Sequence, residues 1–152
     1  MARRIDKIEE TYLREWTIPR EATEYIVVHT RESPYDARAM DRWFRHRGYL
    51  QCGFHFCVTR GGIFETRSHS TVGAHCPGFD DISVAVAILG WSGKNIDLLD
   101  PKTYTNFKDI IDCVSGNYPD ADIVPATRLR RNNGGYEPFE GIVDGLNARR
   151  GR

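Results

Sequence analysis

Apolar positions along the chain fall into short continuous runs and into longer stretches with helical spacing. Short runs that are rich in β-branched and aromatic side chains, with polar or glycine residues at their ends, are typical of strands. Such runs lie at residues 25–29, 54–59, 63–67, 84–89 and 123–124. The second and third are joined by Arg60-Gly61-Gly62, and two glycines between β runs favour a hairpin. The pattern predicts five strands.

Three stretches place their apolar residues at the helical period. We expect the first helix to open at Ser33-Pro34 and to end at Gly48, where a C-terminal cap belongs. The second begins at Asp100-Pro101 and ends at Gly116, and the third begins at Pro138. The resulting order, β–α–β–β–β–α–β–α, predicts an α/β fold with a central mixed β-sheet of about five strands covered by helices.

The chain has 152 residues, which is long enough for one domain with a sizeable core. We predict an N-terminal arm over residues 1–22, which packs on the domain through Trp16, a domain over 23–148 and a basic tail over 149–152. The basic N-terminus is not followed by an apolar segment, so no secretory signal is predicted. No stretch approaches the ~20 apolar residues of a membrane span. We therefore expect a protein that is made in the cytoplasm and has no membrane partner.

Charge is balanced, with 21 basic and 21 acidic residues and a formal net charge of zero. Such a balance provides no general attraction to nucleic acid, and a nucleic-acid partner is not expected. Arginines cluster at residues 128–131 and 149–152, and we interpret these clusters as a solvated loop and a solvated tail.

The four cysteines contain no CxxC pair. They are Cys52, Cys57, Cys76 and Cys113. In a protein made in the cytoplasm we expect free thiols that pack as small hydrophobic groups, and the spacings do not favour a four-cysteine zinc site.

Histidine is the residue type that most directly indicates a site. His29 ends a buried apolar strand, where a polar ring is either a ligand at the end of the sheet or a core histidine bonded to the backbone, and both explanations stay open. His55 lies between aromatic residues, which favours a structural hydrogen-bonding role. His69 and His75 flank a glycine-containing loop of the kind that often surrounds a cleft.

Seven segments follow one another in a defined order along the chain. They are residues 25–29, the Trp43-containing helix, and residues 48–49, 53–58, 61–65, 72–75 and 83–86. As an ordered set they resemble the type 2 N-acetylmuramoyl-L-alanine amidases, a family that includes phage T7 lysozyme and the peptidoglycan recognition proteins. The resemblance extends over residues 24–146, nearly the whole predicted domain.

The resemblance implies a mixed sheet with helices on both sides and cleavage of the amide between N-acetylmuramic acid and L-alanine. The family's enzymes hold one Zn²⁺ through two His and one Cys, with a bound water as the nucleophile, and three protein ligands with one open position are typical of catalytic zinc. A Tyr, and often a Lys, supports the transition state.

Carrying these roles over residue by residue leaves one zinc ligand. His29 matches the first His ligand, whereas Thr127 stands where the second His is expected. The Cys ligand corresponds to Gly135 or Tyr136. Phe54 replaces the catalytic Tyr, so the phenol hydroxyl is missing.

The supporting Lys falls among residues 132–134, which are Asn, Asn and Gly. A single imidazole does not hold Zn²⁺ at useful affinity. We therefore expect no cofactor, and zinc only if surrogate ligands exist, for which His75, Cys76 and Cys57 are the candidates.

Two functional hypotheses follow. The first is a catalytically inactive binding or structural module whose partner is a peptidoglycan fragment or a protein, such as a virion component or a polymerase-type enzyme, with incorporation in a phage particle as one fate. Its binding site is the former substrate cleft, predicted to be lined by His29, Phe54, His75, Thr127 and Tyr136. The second is an active peptidoglycan amidase, an endolysin, with a rebuilt zinc site.

Overall fold

The computed structural model describes residues 4–7, 17–129 and 139–151. The strands in these residues are β1 (Ile5–Lys7), β2 (Tyr25–Arg31), β3 (Phe56–Thr59), β4 (Gly62–Glu65), β5 (Ser83–Leu89) and β6 (Asp122–Pro125). The helices are α1 (Ala37–His46), α2 (Pro101–Asn117), α3 (Ala126–Leu129) and α4 (Phe139–Arg149), with short 3₁₀ turns at Asp80–Ile82 and Ile96–Leu98.

The strands form one sheet in the order β1-β4-β3-β5-β2-β6. The β3–β4 hairpin is antiparallel and the other pairs are parallel, so the predicted mixed α/β sheet is confirmed. The sixth strand comes from the segment predicted as an arm, where Ile5 pairs with Ile63. A three-residue strand is too short to show an alternating pattern, which is why the sequence did not reveal it. Trp16 lies outside the described residues.

The two faces of the sheet differ in side-chain size. In β5, Val84, Val86 and Ile88 pack in a large apolar cluster with residues of α2 and α4. The alternate residues of the same strand, Ala85 and Ala87, belong to a smaller cluster with residues of α1. Successive side chains of a strand point to opposite faces. β5 therefore places large side chains on the face of α2 and α4 and small side chains on the face of α1.

Helix boundaries follow their capping residues. The Asp36 carboxylate accepts hydrogen bonds from the first amides of α1, which therefore begins at Ala37 and not at the predicted Ser33-Pro34. Asp100 caps α2 in the same way, with Pro101 in the first turn as predicted, and the helix ends at Asn117, one residue later than expected. Within the described residues, no helix combines the length and the apolar character that crossing a bilayer requires.

Both strands of the β3–β4 hairpin are shorter than the sequence predicts. β3 begins at Phe56, two residues after the predicted start, although His55 N still donates to Ala85 O. β4 ends at Glu65, before the predicted residue 67, although Thr66 N still donates to His55 O at 2.9 Å, and Arg67 N shares the same acceptor at 3.4 Å. The arginine cluster at residues 128–131 was interpreted as a solvated loop, but its first two residues belong to helix α3.

Candidate ligand-binding cleft

A cleft of about 300 Å³ opens on the α1 side of the sheet, beside the carboxyl-terminal half of β2. His29 and Arg31 are two residues apart in β2, so their side chains emerge on the same face. His29 lies opposite Ala87 of β5, whose methyl group leaves room for the imidazole. Trp43 of α1 and Phe54 also line the cleft.

The loop that carries His75 is held close to the segment before β3. Ala74 N donates to Gly53 O at 3.1 Å. A Cβ atom on Gly53 would lie 2.0 Å from Ala74 O, and one on Gly73 would lie 2.8 Å from Gly53 O. Any larger residue at either position would push the two segments apart. The two glycines therefore allow the approach that brings His75 next to His29.

His29 and His75 form a buried hydrogen-bonded pair, with His29 Nε2 2.9 Å from His75 Nδ1. The other nitrogen of His75, Nε2, is 3.1 Å from Ser83 Oγ, and the Ser83 hydroxyl donates to Phe79 O at 2.7 Å. Because that proton is already used, His75 Nε2 donates to Ser83, and Asp80 Oδ1 at 3.6 Å favours a proton on the same nitrogen. His75 Nδ1 is then the acceptor, and His29 Nε2 carries the proton of the pair.

The resemblance implies zinc at His29, and the described residues supply few further donors for that metal. In this tautomer His29 Nε2 donates to His75, so Nε2 is not the ring nitrogen that offers a lone pair to a metal. Within residues 4–7, 17–129 and 139–151, no group of three or more His, Cys, Asp or Glu side chains is placed to hold a metal ion. The described donors at this place include the hydrogen-bonded pair of His29 and His75, with Ser83 and Asp80 beside His75.

The other predicted site residues are distributed unevenly. Phe54 is buried, and its ring centroid lies 4.8 Å from that of His29, so the structure brings His29, Phe54 and His75 together. Thr127 lies in α3, is not among the residues that line the cleft, and donates to Glu140 Oε1 at 3.1 Å. Tyr136 and the residue 132–135 segment lie outside the described residues.

Both candidate surrogate cysteines are buried, and Cys57 lies in the cluster with residues of α1. Burial, followed by the neighbouring Cys52 thiol, raises the pKa of Cys57 well above its usual range, which disfavours the thiolate that zinc requires. Cys76 is also buried, and its amide donates to Asp80 Oδ1 at 2.8 Å. Cys113 is a free thiol exposed on α2, so the expectation that every cysteine packs as a small hydrophobic group is wrong for this one.

His55 has the structural role that its sequence position predicts. Its Nδ1 accepts from Ala85 N at 2.9 Å, and its Nε2 therefore carries the proton that is donated to Thr71 O at 2.7 Å. Complete burial lowers the pKa of His55 well below its ordinary value and keeps the ring neutral. The imidazole joins β5 to the loop that precedes His75.

Two arginines converge on Trp43 at the cleft. The guanidinium carbon of Arg31 lies 4.5 Å from the centre of the Trp43 ring, and that of Arg47 lies 3.6 Å from it. All three residues line the cleft. Sequence reasoning missed this group because Arg31 belongs to a strand and the other two to the region of α1. The only local signal was the four-residue spacing of Trp43 and Arg47.

Sequence relatives with named functions align with about half of the chain. The endolysin of Enterobacteria phage T3 is 35% identical over 77 residues, which are 47% of this chain and 51% of the relative. The endolysin of Escherichia phage T7 is 34% identical over 76 residues, 47% of this chain and 50% of the relative. The chain thus spans about half the length of the curated relatives it matches. No family model matches it.

Solved structures match nearly the whole chain. The endolysin N-acetylmuramoyl-L-alanine amidase LysCS from Clostridium intestinale superposes with a TM-score of 0.80 at 22% identity and covers 97% of both chains. Human PGRP-IBETAC in complex with glycosamyl muramyl pentapeptide has a TM-score of 0.71 at 18% identity, covering 92% of this chain and 94% of the other. In fold, the chain is similar to solved structures of N-acetylmuramoyl-L-alanine amidases and peptidoglycan recognition proteins, and in sequence it is similar to phage endolysins over about half its length.

Proposed function

We propose that this chain is an amidase-fold protein that binds a peptidoglycan fragment in the cleft beside His29 and does so without zinc chemistry. The observation that carries the proposal is the bonding of His29. Its Nε2 proton is donated to His75, and Phe54 packs beside it in the position that the resemblance assigns to a catalytic Tyr. A neutral histidine pair and an apolar ring provide contacts for a ligand but no activated water.

The shape and lining of the cleft support a small polar ligand. Its volume of about 300 Å³ lies at the lower end of the range of small-molecule sites. Trp43 and the exposed Tyr49 provide aromatic surface, and Arg31 and Arg47 provide positive charge. The human structural neighbour was solved with a glycosamyl muramyl pentapeptide, a ligand that has both an apolar sugar face and an ionisable peptide.

The test is calorimetric titration of the purified chain with a muramyl pentapeptide. We expect saturable binding that Trp43→Ala weakens by about tenfold, the equivalent of about 1.4 kcal/mol. Tyr35→Ala is the matched control, because Tyr35 is an aromatic residue with 74% exposure that does not line the cleft. Equal losses in the two variants, or no binding by the unmodified chain, would contradict the proposal.

An active endolysin is the second candidate, and the names of the sequence relatives favour it. Metal analysis and a peptidoglycan hydrolysis assay separate the two hypotheses. About one zinc per chain together with hydrolysis that a chelator abolishes would establish the enzyme, with ligands that include residues outside the described part of the chain. Binding of the muramyl peptide without zinc or hydrolysis is the result that we expect. Binding of a protein partner with no affinity for the peptide would favour the structural alternative.

A further inference from the structure

Two buried cysteines lie at the ends of the short segment that carries Phe54. Cys52 begins this segment and Cys57 lies in β3, and both are free thiols, fully buried in the cluster with residues of α1. Their side chains are hydrogen-bond partners of each other. Thr66 Oγ1 lies 3.7 Å from Cys57 Sγ and also bonds to the thiol of Cys52. The two thiols and the Thr66 hydroxyl therefore form one contact group inside the protein.

Polar contacts fix the backbone on both sides of Cys52. Its amide donates to Asp41 Oδ1 at 2.7 Å, and its carbonyl oxygen accepts from Arg67 Nε at 2.8 Å. Burial alone raises the pKa of Cys52, but hydrogen bonds, the largest of them with Cys57, outweigh burial and leave this pKa lowered. Burial raises the pKa of Cys57, and the bond to Cys52 raises it further. Cys52 is therefore the thiol that ionises more readily, and the thiolate is the reactive form of cysteine.

The segment between the two cysteines supports the cleft. Gly53 O accepts from Ala74 N at 3.1 Å, which ties the segment to the loop that carries His75. The ring of Phe54 lies against that of His29, with their centroids 4.8 Å apart. A disulfide bond is about 2.0 Å long, which is shorter than any hydrogen-bond contact between two thiols. Closing a disulfide here would draw the ends of the segment together and move Phe54 relative to His29.

We infer that Cys52 and Cys57 form a redox modification site, at which a hydroperoxide closes a disulfide that moves Phe54 and weakens binding of the muramyl peptide. The part of this inference that concerns the peptide rests on the proposed function. In the first step the Cys52 thiolate attacks hydrogen peroxide, the O–O bond breaks, and Cys52 becomes a sulfenic acid. The hydroxide that leaves takes up the proton that Cys52 released and becomes water. In the second step the Cys57 sulfur attacks the Cys52 sulfur, the S–O bond breaks, and the hydroxyl group leaves with the Cys57 proton as a second water. The dithiol thus loses two electrons and two protons, and the peroxide is reduced to two waters.

Peptide mapping tests the modification. The chain carries Cys113→Ser, because Cys113 is exposed and could form disulfides between molecules. After reduction and removal of the reductant, it is treated with hydrogen peroxide, alkylated and digested with trypsin. Residues 48–60 form one tryptic peptide that contains Cys52, Cys57 and no other cysteine. We expect this peptide to lose the mass of two hydrogen atoms and to escape alkylation, and dithiothreitol to reverse both changes. A peptide that gains oxygen instead, or that stays fully alkylated, would overturn the inference.

Calorimetric titration with the muramyl pentapeptide tests the effect on the cleft. The oxidised chain should bind at least about tenfold more weakly than the reduced chain, and dithiothreitol should restore the affinity. Cys52→Ser removes the reacting thiol, so the affinity of this variant should not respond to peroxide. Cys76→Ser is the matched control, because it removes a different buried thiol and should keep the full response.

The two measurements separate the modification from the proposed function. Because the disulfide is mapped in a chain that retains both thiols, the mapping decides the chemistry even if Cys52→Ser does not fold. A disulfide that leaves the affinity unchanged would overturn the effect on the cleft, as would an equal response in Cys52→Ser and Cys76→Ser. If the disulfide forms and neither redox state binds the peptide, the proposed function fails and the modification site stands.

Discussion

The two faces of the central sheet are built from different kinds of residues. The face covered by α2 and α4 is a continuous apolar cluster that contains Phe107 and the large side chains of β5. The face covered by α1 carries small residues such as Ala85 and Ala87, and the buried imidazoles of His29 and His55. The first face stabilises the fold by burying hydrocarbon, and the second gives up part of that burial to make space for polar rings and a cleft.

The difference teaches where function can be placed on a small domain. Every buried imidazole needs hydrogen-bond partners, and His55 obtains both of them from the backbone. On this face the neighbouring residues are small and the polar groups are hydrogen-bonded, so the surface is rigid. Its functional side chains can therefore be replaced by others without loss of the fold. The apolar face has no such freedom, because its side chains are packed on all sides.

The largest expected effect is on the apolar face. Phe107 is 0% exposed, and Phe107→Ala should lower the free energy of unfolding by about 3–5 kcal/mol because it leaves a closed void. Phe54→Ala should be less destabilising, because the space it leaves adjoins the cleft and can fill with water. Chemical denaturation of the two variants measures the difference. Equal losses would show that both faces are packed as closed cores and would break the comparison.

The next effect tests the space on the α1 face. Ala87→Leu adds bulk opposite His29, where β2 and β5 pair, and overpacking of this kind destabilises proteins by about 1–3 kcal/mol. The variant should also lose affinity for the muramyl peptide, since the displaced imidazole narrows the cleft. Ile88→Leu, one residue later and on the opposite face, is the volume-conserving control and should leave binding unchanged. Undiminished affinity in Ala87→Leu would show that the cleft does not depend on the small residue.

A third prediction concerns pH and His55. Burial lowers the pKa of His55 well below its ordinary value of 6.5. In acid, the His55 imidazole therefore binds a proton in the unfolded chain while it stays neutral in the folded chain. The contribution of His55 to the free energy of unfolding should therefore be fully present above about pH 6.5 and should be lost as the pH falls. The free energy of unfolding should then decrease by up to about 1.4 kcal/mol per pH unit because of this group. The difference in unfolding free energy between the unmodified chain and His55→Gln, measured from pH 7.5 to 5, isolates the contribution. A difference that does not vary with pH would mean that the pKa of His55 is the same in the folded and the unfolded chain.

The sequence predicted the strands and helices whose signals are local. The apolar runs of β2 and β5 and the Asp100-Pro101 start of α2 needed no information from the rest of the chain, and the structure contains all three elements. The predicted start of α1 at Ser33-Pro34 was wrong because Asp36, which follows this proline, caps the helix. Strand β1 was not predicted because a run of three residues shows no periodicity.

The site was less predictable than the fold because its contacts join distant residues. His29 and His75 are 46 positions apart, and the proton order of the pair depends on Ser83. The group formed by Arg31 and Trp43 depends on the packing of α1 against β2. The resemblance to the amidases indicated the region of the cleft, whereas the hydrogen bonds and charges within it required coordinates.

The smallest expected effect on the fold is a restoration of metal binding. Phe54→Tyr, Thr127→His and Tyr136→Cys together should change the unfolding free energy of the metal-free chain by no more than about 1–2 kcal/mol, since Thr127 is half-buried and bonded only at its hydroxyl. The variant should take up about one zinc per chain, because imidazole and thiolate supply the donors that zinc prefers. We expect weaker zinc binding than in an intact three-ligand site, because the surrounding residues were not selected to orient the new ligands, and a melting temperature that a chelator lowers. A second version with Gly135→Cys in place of Tyr136→Cys covers the other possible ligand position, and adding His29→Ala to either version is the control that should abolish zinc uptake. If neither version binds zinc while remaining folded, the matching of the last loop to the amidase ligands is wrong. If the unmodified chain binds zinc as tightly as these variants do, the proposed loss of the metal site is wrong.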